Sequence, residues 1–424
     1  MPRTPPPRLR APLALPDELV EEILLRVPPN DPTSLARAAL ACRRWRGLVA
    51  DPVFHRRRLE LHGAVPPMLG FVYDSFTRTS FIPTSSCRPH RADHHGRRGF
   101  DARHGRVLLH GRKYEDFIVW NPITDQLVEV PRPPDFLGNS SVKATVLCAA
   151  TGVCDHFDCH RGPFIVVMVG TNDDLEDVDF DIENNHIDFD VLSESEIEGI
   201  MREGFRRVPK DMFACVYSSE LGAWSEPTYA EHPNDHVDWG RSALVGNTLY
   251  FMLVKYESIL KYDLGTRKMS VIGLPPYAHA ETIYTQFMRI QLTTMEDGRL
   301  GFARLEESIE LCLWSRDEGV EVVRNWYHKF TGWTLCKVID LKVSPLVDPI
   351  AHYNSLVGFV EGVSVAFVAV QNRLFTVDMK SGLMRKVFEG CFFSCVVPYI
   401  TFCPPALGAS SRDDGTRRVG TSSA

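Results

Sequence analysis

Two cysteines and two histidines, Cys154, His156, Cys159 and His160, stand within seven residues, and these are residue types that bind zinc. A structural zinc ion needs four ligands in a tetrahedron, and four side chains so close along the chain can hardly converge on one ion. The sequence also contains no Cys-x-x-Cys pair and no second Cys or His pair at finger spacing. We therefore predict no metal site and no RING-type zinc domain.

A second set of possible metal ligands lies in an acidic segment. Between Asp173 and Glu198 there are twelve acidic residues and no Lys or Arg. Asp177 to Glu183 alternate like the start of a calcium loop, but Ile182 takes the position that needs glycine, and Asp188 replaces the final bidentate Glu. We predict a solvated acidic loop that can attract a basic segment of a substrate, and no calcium site.

The segment from Arg78 to Lys113 has the opposite charge, with nine basic residues against Asp93 and Asp101. One interpretation is a basic loop that recognises an acidic ligand. The other is a polar surface that balances the acidic segment. Because no aromatic residues alternate with the basic ones to stack on bases, we favour the polar surface.

No motif for catalysis is present. The sequence lacks a Gly-x-x-x-x-Gly-Lys phosphate loop, a Gly-x-Ser-x-Gly elbow and a His-Glu-x-x-His metal pair. We predict no catalytic residue and no cofactor. Carboxylates and histidines distant in sequence can still meet in space, so an enzyme remains an alternative.

The composition narrows the possible partners. Lys and Arg number 47 against 54 Asp and Glu, a formal charge of −7 that argues against general attraction to nucleic acid or anionic membrane. The longest apolar runs, such as Phe164 to Val169 and Val365 to Val370, are far shorter than the roughly 18 to 20 residues that cross a bilayer. Eleven cysteines are too sparse for a disulfide scaffold. We expect an intracellular protein, cytoplasmic or nuclear.

The elements that position side chains for binding begin with three predicted short helices in residues 13–62. Leu19, Ile23 and Val27 recur every four residues and give the first helix a broad apolar face. Asp31-Pro32 and Asp51-Pro52 each supply a cap and a first-turn proline for the next helices. About fifty residues bury only a small core, so apolar faces are left over for a partner or for docking on the rest of the chain.

The order Leu15-Pro16-Asp17-Glu18-Leu19, Cys42-Arg43-Arg44-Trp45 and Asp51-Pro52-Val53-Phe54 resembles an F-box over some forty residues. The resemblance implies a helical module that binds the Skp-type adaptor of a cullin-based ubiquitin ligase. Five residues are then expected to touch the adaptor directly: Leu15, Pro16, Leu19, Ile23 and Leu24. Three more are expected either to touch it or to hold the helices together: Leu35, Cys42 and Trp45.

From Gly70 to about Cys403 the sequence changes to short β-rich runs separated by turn residues. An aromatic or branched residue followed by a polar one recurs at spacings of 47, 97, 45, 52 and 63. The six pairs are Tyr73-Asp74, Trp120-Asn121, Tyr217-Ser218, Tyr262-Asp263, Trp314-Ser315 and Val377-Asp378. Periods near 45 to 50 suit four-stranded propeller blades, about six in number, although five or seven blades, a β-sandwich or an irregular α/β domain stay open.

A closed propeller needs its last strand to join its first blade. We expect the run Cys391 to Cys403 to complete the blade that begins near Phe71 and so to remove an exposed sheet edge. The segment from Asn121 to Pro131 resembles a recurrent feature of the divergent propeller-like domain that follows the F-box in many plant F-box proteins.

The predicted fold is a multidomain α+β chain: a three-helix F-box at 13–62 and a mainly antiparallel β domain at 70–403, with an acidic insertion at about 171–210. Residues 1–12 and 404–424 are predicted to be disordered tails. By resemblance, the function is that of a non-catalytic substrate receptor: the helices attach to the Skp-type adaptor and cullin scaffold, and the β domain holds an unidentified target. The alternatives are a ligase-independent interaction scaffold and a propeller enzyme with an accessory helical domain.

Overall fold

The computed structural model describes two compact units, one ending at His62 and one covering Pro67 to Thr401. The described residues are 15–28, 31–62, 67–74, 78–85, 88–111, 116–133, 141–150, 154, 156, 159–173, 209–231, 235–238, 240–254, 257–275, 290–306, 310–317, 332–341, 354–360, 365–390 and 396–401. Among these residues, no helix is both long and apolar enough to span a bilayer.

The first unit contains four helices and not three. They are α1 (Asp17–Leu25), α2 (Pro32–Ala41), α3 (Arg43–Ala50) and α4 (Pro52–His62). The prediction of a single helix between the caps at Asp31 and Asp51 is wrong because Cys42 is extended (φ −160°, ψ 161°) and its Sγ accepts the backbone N–H of Trp45 at 3.4 Å, which starts a new helix. The predicted Asp caps are confirmed: Asp31 accepts the N–H of Ser34 at 3.3 Å, and Asp51 accepts the N–H of Val53 at 2.8 Å.

The described residues of the second unit form 25 strands. They are β1 (Met68–Asp74), β2 (Arg78–Pro83), β3 (Asp93–His95), β4 (Arg97–Arg103), β5 (Arg106–Gly111), β6 (Phe117–Asn121), β7 (Gln126–Val130), β8 (Ser141–Cys148), β9 (Phe164–Asp173), β10 (Pro209–Ser218), β11 (Ala223–Trp224), β12 (Thr228–Glu231), β13 (Ala243–Val245), β14 (Thr248–Met252), β15 (Ser258–Asp263), β16 (Met269–Gly273), β17 (Ile290–Thr294), β18 (Leu300–Glu306), β19 (Glu310–Arg316), β20 (Trp333–Asp340), β21 (Asn354–Val360), β22 (Val365–Val370), β23 (Arg373–Asp378), β24 (Met384–Glu389) and β25 (Val396–Ile400). A short 3₁₀ helix (Cys159–Arg161) precedes β9.

The strands form six antiparallel sheets, one per propeller blade, which confirms the predicted fold and the number of blades. In chain order the blades are β25-β1-β2-β3, β4 to β7, β8 to β11, β13 to β16, β17 to β20 and β21 to β24; β12 pairs with β10 in the third blade. The predicted closure is also confirmed, because β25 pairs with β1 from Met68↔Ile400 to Tyr73↔Val396. The acidic insertion lies between β9 and β10, and residues 174–208 are outside the described residues.

The repeating polar residue at the end of a strand makes a turn. Asn121, Asp263 and Asp378 each accept backbone N–H groups two or three residues ahead at 2.7 to 3.2 Å. In four blades the fifth residue of this turn is left-handed and donates its N–H at 2.8 Å to the carbonyl of the first; these residues are Asp125, Gly222, Arg267 and Gly382. A side chain that satisfies turn amides therefore explains why the repeat is visible in a divergent sequence.

We expect Gly382→Ala to destabilise the propeller more than Gly222→Ala. Both glycines are left-handed, with φ of 68° and 64°, so each change costs about 1 kcal/mol in backbone conformation. A Cβ on Gly382 would lie 2.6 Å from the carbonyl oxygen of Asp340, whereas a Cβ on Gly222 has nothing within 4 Å. Overpacking adds about 1 to 3 kcal/mol at Gly382 alone. Urea unfolding of the two variants measures the difference, and equal midpoints would contradict this close approach.

Most of the propeller core lies between blades. Five apolar clusters each join side chains from two neighbouring sheets. Between the second and third blades, for example, Phe117 and Val119 pack with Val166, Met168 and other buried residues. Each blade therefore depends on its neighbours for burial of its apolar side chains.

The predicted basic segment is part of the second unit's interior as well as its surface. Arg103, Arg106, His94 and His110 are buried within or beside β3 to β5. Burial lowers the pKa of His110 to about 3, so this ring is neutral at physiological pH. The preferred interpretation, a polar surface, is therefore wrong for these four residues, because they are buried in the protein; hydrogen bonds compensate for the burial of Arg103, Arg106 and His110.

Candidate functional site

The helical unit presents an apolar stripe to solvent. Leu15, Leu19 and Ile23 are 50%, 52% and 55% exposed. Leu19 and Ile23 lie one turn apart on one side of α1, and Leu15 lies two residues before the helix begins; we call these three residues the α1 stripe. The opposite side of α1 holds Val20 and Leu24 in the helical core. A helix that packs with one face and leaves a second apolar face bare is suited to bind another protein.

The helices hold the α1 stripe in place by polar contacts at its margin. Arg44 pairs with the carboxylate of Asp17, and its Nη2 donates to the carbonyl oxygen of Leu15 at 2.8 Å. Arg57 on α4 lies 2.6 Å from Glu21 and 3.1 Å from Glu22. Exposed pairs such as these contribute little stability, but here they tie the start and middle of α1 to α3 and α4.

The other predicted adaptor residues differ in position. Pro16 is exposed at the start of α1. Leu24 is only 5% exposed and Leu35 is fully buried, and both pack in the helical core. Leu24 lies one position past Ile23 on the helix, and its side chain therefore turns into the helical core. The prediction that Leu24 touches an adaptor directly is corrected.

The two remaining residues stand near the break between α2 and α3. Cys42 is exposed and caps α3, whereas Trp45 is half-buried against the helical core. Trp45 therefore helps to hold the helices together. Cys42 is accessible, and its contact with an adaptor stays a prediction.

Three further apolar side chains of the same unit were missed by the sequence argument. Leu40 on α2 and Val53 and Leu61 on α4 are all more than half exposed. With the α1 stripe they make six of the twelve large apolar side chains that are exposed in the described chain, although the helices are its smaller part. One signal was available from sequence: these helices contain more Leu and Val than a core of four short helices can bury.

A second group of reactive residues lies between β8 and β9. Sγ atoms of Cys148, Cys154 and Cys159 and a ring nitrogen of His156 all lie within 4.8 Å of one another. We call these four residues the thiol–imidazole cluster. Sequence reasoning missed Cys148, the last residue of β8, because strand pairing and not local spacing brings it to the loop. The sequence argument against zinc considered four ligands that included His160. In the structure His160 is outside the cluster and Cys148 takes its place.

Burial governs the electrostatics of this cluster. Burial raises the pKa of the Cys159 thiol, and the Cys148 and Cys154 thiols raise it further, while Arg106 opposes them. Burial also lowers the pKa of His104 to about 3, with help from His156. Nδ1 of His104 accepts the backbone N–H of Cys148 at 3.0 Å, which fits a neutral ring.

A third polar group lies at the inner ends of the blades. Asp101 on β4 pairs with Arg103 at 3.0 Å and with Arg241 at 3.7 Å, and all three are buried. Arg103 also donates to Thr145 and Ser242, and Arg241 donates to the carbonyls of Ala102 and Phe359. This Asp101 network joins β4, β8 and β21 to the two residues that precede β13, and its hydrogen bonds hold these segments together, as a structural centre does.

The predictions about the acidic segment stay predictions. The possible calcium residues, Asp177 to Glu183 and Asp188, lie outside the described residues. The same is true of both predicted tails, 1–12 and 404–424.

Comparison with known protein families matches both units. Residues 13–60 match the family described as F-box-like. Residues 189–407, just over half of the chain, match the family described as F-box protein AT5G49610-like, beta-propeller. A search of curated proteins finds no match.

Solved structures resemble the propeller only loosely. A protein of unknown function from Bacteroides caccae is 8% identical over 78% of this chain and 99% of that chain, with a TM-score of 0.40. Apo AztD from Citrobacter koseri is 13% identical over 78% of this chain and 73% of that chain, with a TM-score of 0.32. We draw no conclusion from TM-scores this low. The family matches determine the family, and the sheet topology determines the fold. The chain belongs to the AT5G49610-like family of F-box proteins, with an F-box-like helical region followed by a six-bladed β-propeller.

Proposed function

We propose that this protein is the substrate-recognition subunit of a Skp–cullin–F-box ubiquitin ligase. The observation that carries the proposal is the α1 stripe, three large apolar side chains left exposed on and just before the first helix of an F-box-like region. The stripe binds the Skp-type adaptor, the adaptor binds the cullin scaffold, and the propeller holds a target protein. A separate conjugating enzyme then transfers ubiquitin to the target.

The physical gain from such a receptor is proximity. Holding a target beside the activated ubiquitin raises the effective concentration of the target's lysines. The receptor itself needs no catalytic group for this role, in keeping with the absence of a catalytic motif in the sequence. The same hypothesis places the protein in the cytoplasm or nucleus.

We expect the double variant Leu19→Asp, Ile23→Asp to lose binding to a purified Skp-type adaptor by at least about 100-fold. Each side chain forfeits about 1.5 to 3 kcal/mol of apolar burial, about tenfold or more in affinity, before the cost of burying a carboxylate is added. Titration calorimetry of the full-length chain with the adaptor measures this loss.

Leu221→Asp is the matched control, because Leu221 is 81% exposed on a turn of the propeller and its loss should leave adaptor affinity unchanged. Circular dichroism checks that the double variant keeps its helices. If the double variant binds as tightly as the wild type, the α1 stripe is not the adaptor surface. If adaptor binds but cullin does not join the complex, the ligase-independent scaffold is the better description.

The double variant also serves to find the target. A receptor that cannot join the ligase still binds its target but does not deliver it for ubiquitination. We therefore expect a target to be enriched with the double variant over the wild type in cells, measured by quantitative mass spectrometry. Equal recovery with both forms, in cells where the wild type does bind adaptor and cullin, would argue against degradation as the outcome.

A further inference from the structure

We propose that the thiol–imidazole cluster, Cys148, Cys154, His156 and Cys159, is a structural zinc site that fastens the loop between β8 and β9. Nothing in this proposal depends on adaptor binding, since the cluster belongs to the propeller and the α1 stripe to the helical unit. The argument has three parts: the geometry of the four ligand atoms, the way the chain delivers them, and the charge around them.

The geometry fits a tetrahedral ion. Zinc bonds of about 2.3 Å to sulfur and about 2.0 to 2.1 Å to nitrogen place neighbouring ligand atoms about 3.5 to 3.8 Å apart. All four ligand atoms of the cluster are mutually within 4.8 Å, and Nδ1 of His156 lies 3.5 Å from Sγ of Cys159. An ion therefore requires the cluster to contract by no more than about 1 Å.

Strand pairing and the loop together deliver the ligands. Cys148 is fixed by pairing with Phe164 at the start of β9. The chain then turns back, with the N–H of Ala149 donated to the carbonyl of Pro163 at 3.1 Å. Inside the loop, the backbone N–H of His156 is donated to Sγ of Cys154 at 3.4 Å. This hydrogen bond fixes the Cys154 sulfur relative to His156, so the two ligands are positioned together.

The imidazole ligand is held by its neighbour. His156 is left-handed (φ 56°), and its ring stacks on that of His104, with centroids 3.8 Å apart and planes 8° apart. His104 comes from the turn between β4 and β5 and is itself fixed by the N–H of Cys148. The second blade thereby orients a ligand that belongs to the third, as outer contacts do in metal sites.

The charge around the cluster also requires an anion. Arg106 is 2% exposed, and no carboxylate in the described part of the chain pairs with it. Its Nη2 donates to the carbonyls of Cys159 and Gly162, the latter at 2.6 Å, at the edge of the cluster. A buried charge without a counterion is costly. Three thiolates, a neutral imidazole and Zn²⁺ carry a net charge of −1, which would balance the guanidinium.

Zinc is the metal that this donor set favours, because three thiolates and one imidazole in a tetrahedron are typical of closed structural sites. With all four positions taken by protein, the ion has no place for a reacting water. Binding releases the thiol protons to solvent. The bound zinc ion would then tie the loop to β8 and, through His104, to the second blade.

The first test uses the wild-type full-length chain. We expect about one zinc ion per chain after purification from zinc-supplemented culture, measured by inductively coupled plasma mass spectrometry. Alkylation with iodoacetamide, mapped by peptide mass spectrometry, should spare Cys148, Cys154 and Cys159 until a chelator is added. Cys336, an exposed thiol on β20, should react at the same rate with and without the chelator. Because no substitution is involved, this test does not depend on the folding of a variant.

The second test assigns the site. Changing a residue that only supports a ligand typically weakens metal affinity about 10- to 100-fold. Cys154→Ser and His156→Gln each remove a ligand, so each should weaken zinc binding by more than that. Cys336→Ser should keep the full zinc content. Co²⁺ alone, added to the metal-free chain, should give the visible spectrum of a tetrahedral thiolate site in the wild type and not in Cys154→Ser.

Three results would overturn the proposal. The wild-type chain could hold no zinc above background while its thiols react freely. Two of the cluster cysteines could be recovered as a disulfide. Finally, zinc could be present but unaffected by both Cys154→Ser and His156→Gln, which would place the ion elsewhere in the chain.

Discussion

Asp101→Asn is expected to destabilise the propeller by about 3 to 5 kcal/mol. The change keeps the shape of the side chain and removes its charge, so Arg103 and Arg241 are left buried without their carboxylate. Removing one partner of a buried pair costs far more than the pair itself contributes, because the remaining charges have no water to solvate them. The Asp101 network joins strands of three blades to the segment before β13, so the loss should appear in the global unfolding transition. Urea unfolding followed by tryptophan fluorescence measures it.

Asp297→Asn is the matched control for that experiment. Asp297 and Arg299 form an ion pair of 2.6 Å on a turn, with both side chains exposed. Solvent screens such a pair, and we expect no resolvable change in the unfolding midpoint. If the two Asp→Asn variants behave alike, the Asp101 network contributes no more than a surface pair does.

The response to acid provides an independent check of the same charge. Burial alone would raise the pKa of Asp101, but Arg103 and Arg241 outweigh it and hold the pKa below its usual value of 3.8. A carboxyl group whose pKa is lower in the folded chain stabilises that state above pH 3.8, and the contribution is lost as pH falls further. In Asp101→Asn this part of the acid sensitivity should be missing, so the difference in stability between the two proteins should shrink below pH 3.8.

Local chemistry explains which elements were predictable from sequence. The turns at Asn121, Asp263 and Asp378 depend on a side chain that bonds to amides two or three residues ahead, so residue type and position suffice. The α1 stripe follows in the same way from a spacing of four. The number of blades could be counted because the pair of an aromatic or branched residue and a polar one recurs once in each blade, although, among the described residues, only four blades make this turn.

Elements that depend on distant residues were missed. Whether Leu24 faces out or in depends on the packing of three other helices, and α1 is apolar on both sides. Cys148 joins the thiol–imidazole cluster only through its pairing in the third blade, and local spacing carries no trace of that. In each case a contact made after folding outweighs the local pattern.

Removal of β25 is expected to abolish cooperative folding of the propeller. A chain that ends at Gly390 loses Val396, Val397 and Tyr399, all almost fully buried. At about 1.5 to 3 kcal/mol for each side chain, this loss is comparable with the whole stability of a domain, about 5 to 15 kcal/mol. It also leaves β1 as an open sheet edge that can pair with other molecules. Differential scanning calorimetry should show no cooperative transition, and light scattering should show aggregation.

A milder change at the same strand separates closure from general damage. The hydroxyl of Tyr399 donates to the carbonyl of Gly105 at 3.0 Å, so Tyr399→Phe should cost only about 1 kcal/mol and keep the transition. A synthetic peptide of residues 391–405 added to the shortened chain should restore the transition, because the unpaired groups of β1 bind it as they bind β25. If the shortened chain instead melts cooperatively within about 1 kcal/mol of the wild type, the pairing of the two ends does not hold the ring closed. The opposite result means that β1 keeps an unpaired edge until β25 has been synthesised and has paired with it, so completion of the first blade depends on a strand distant in sequence.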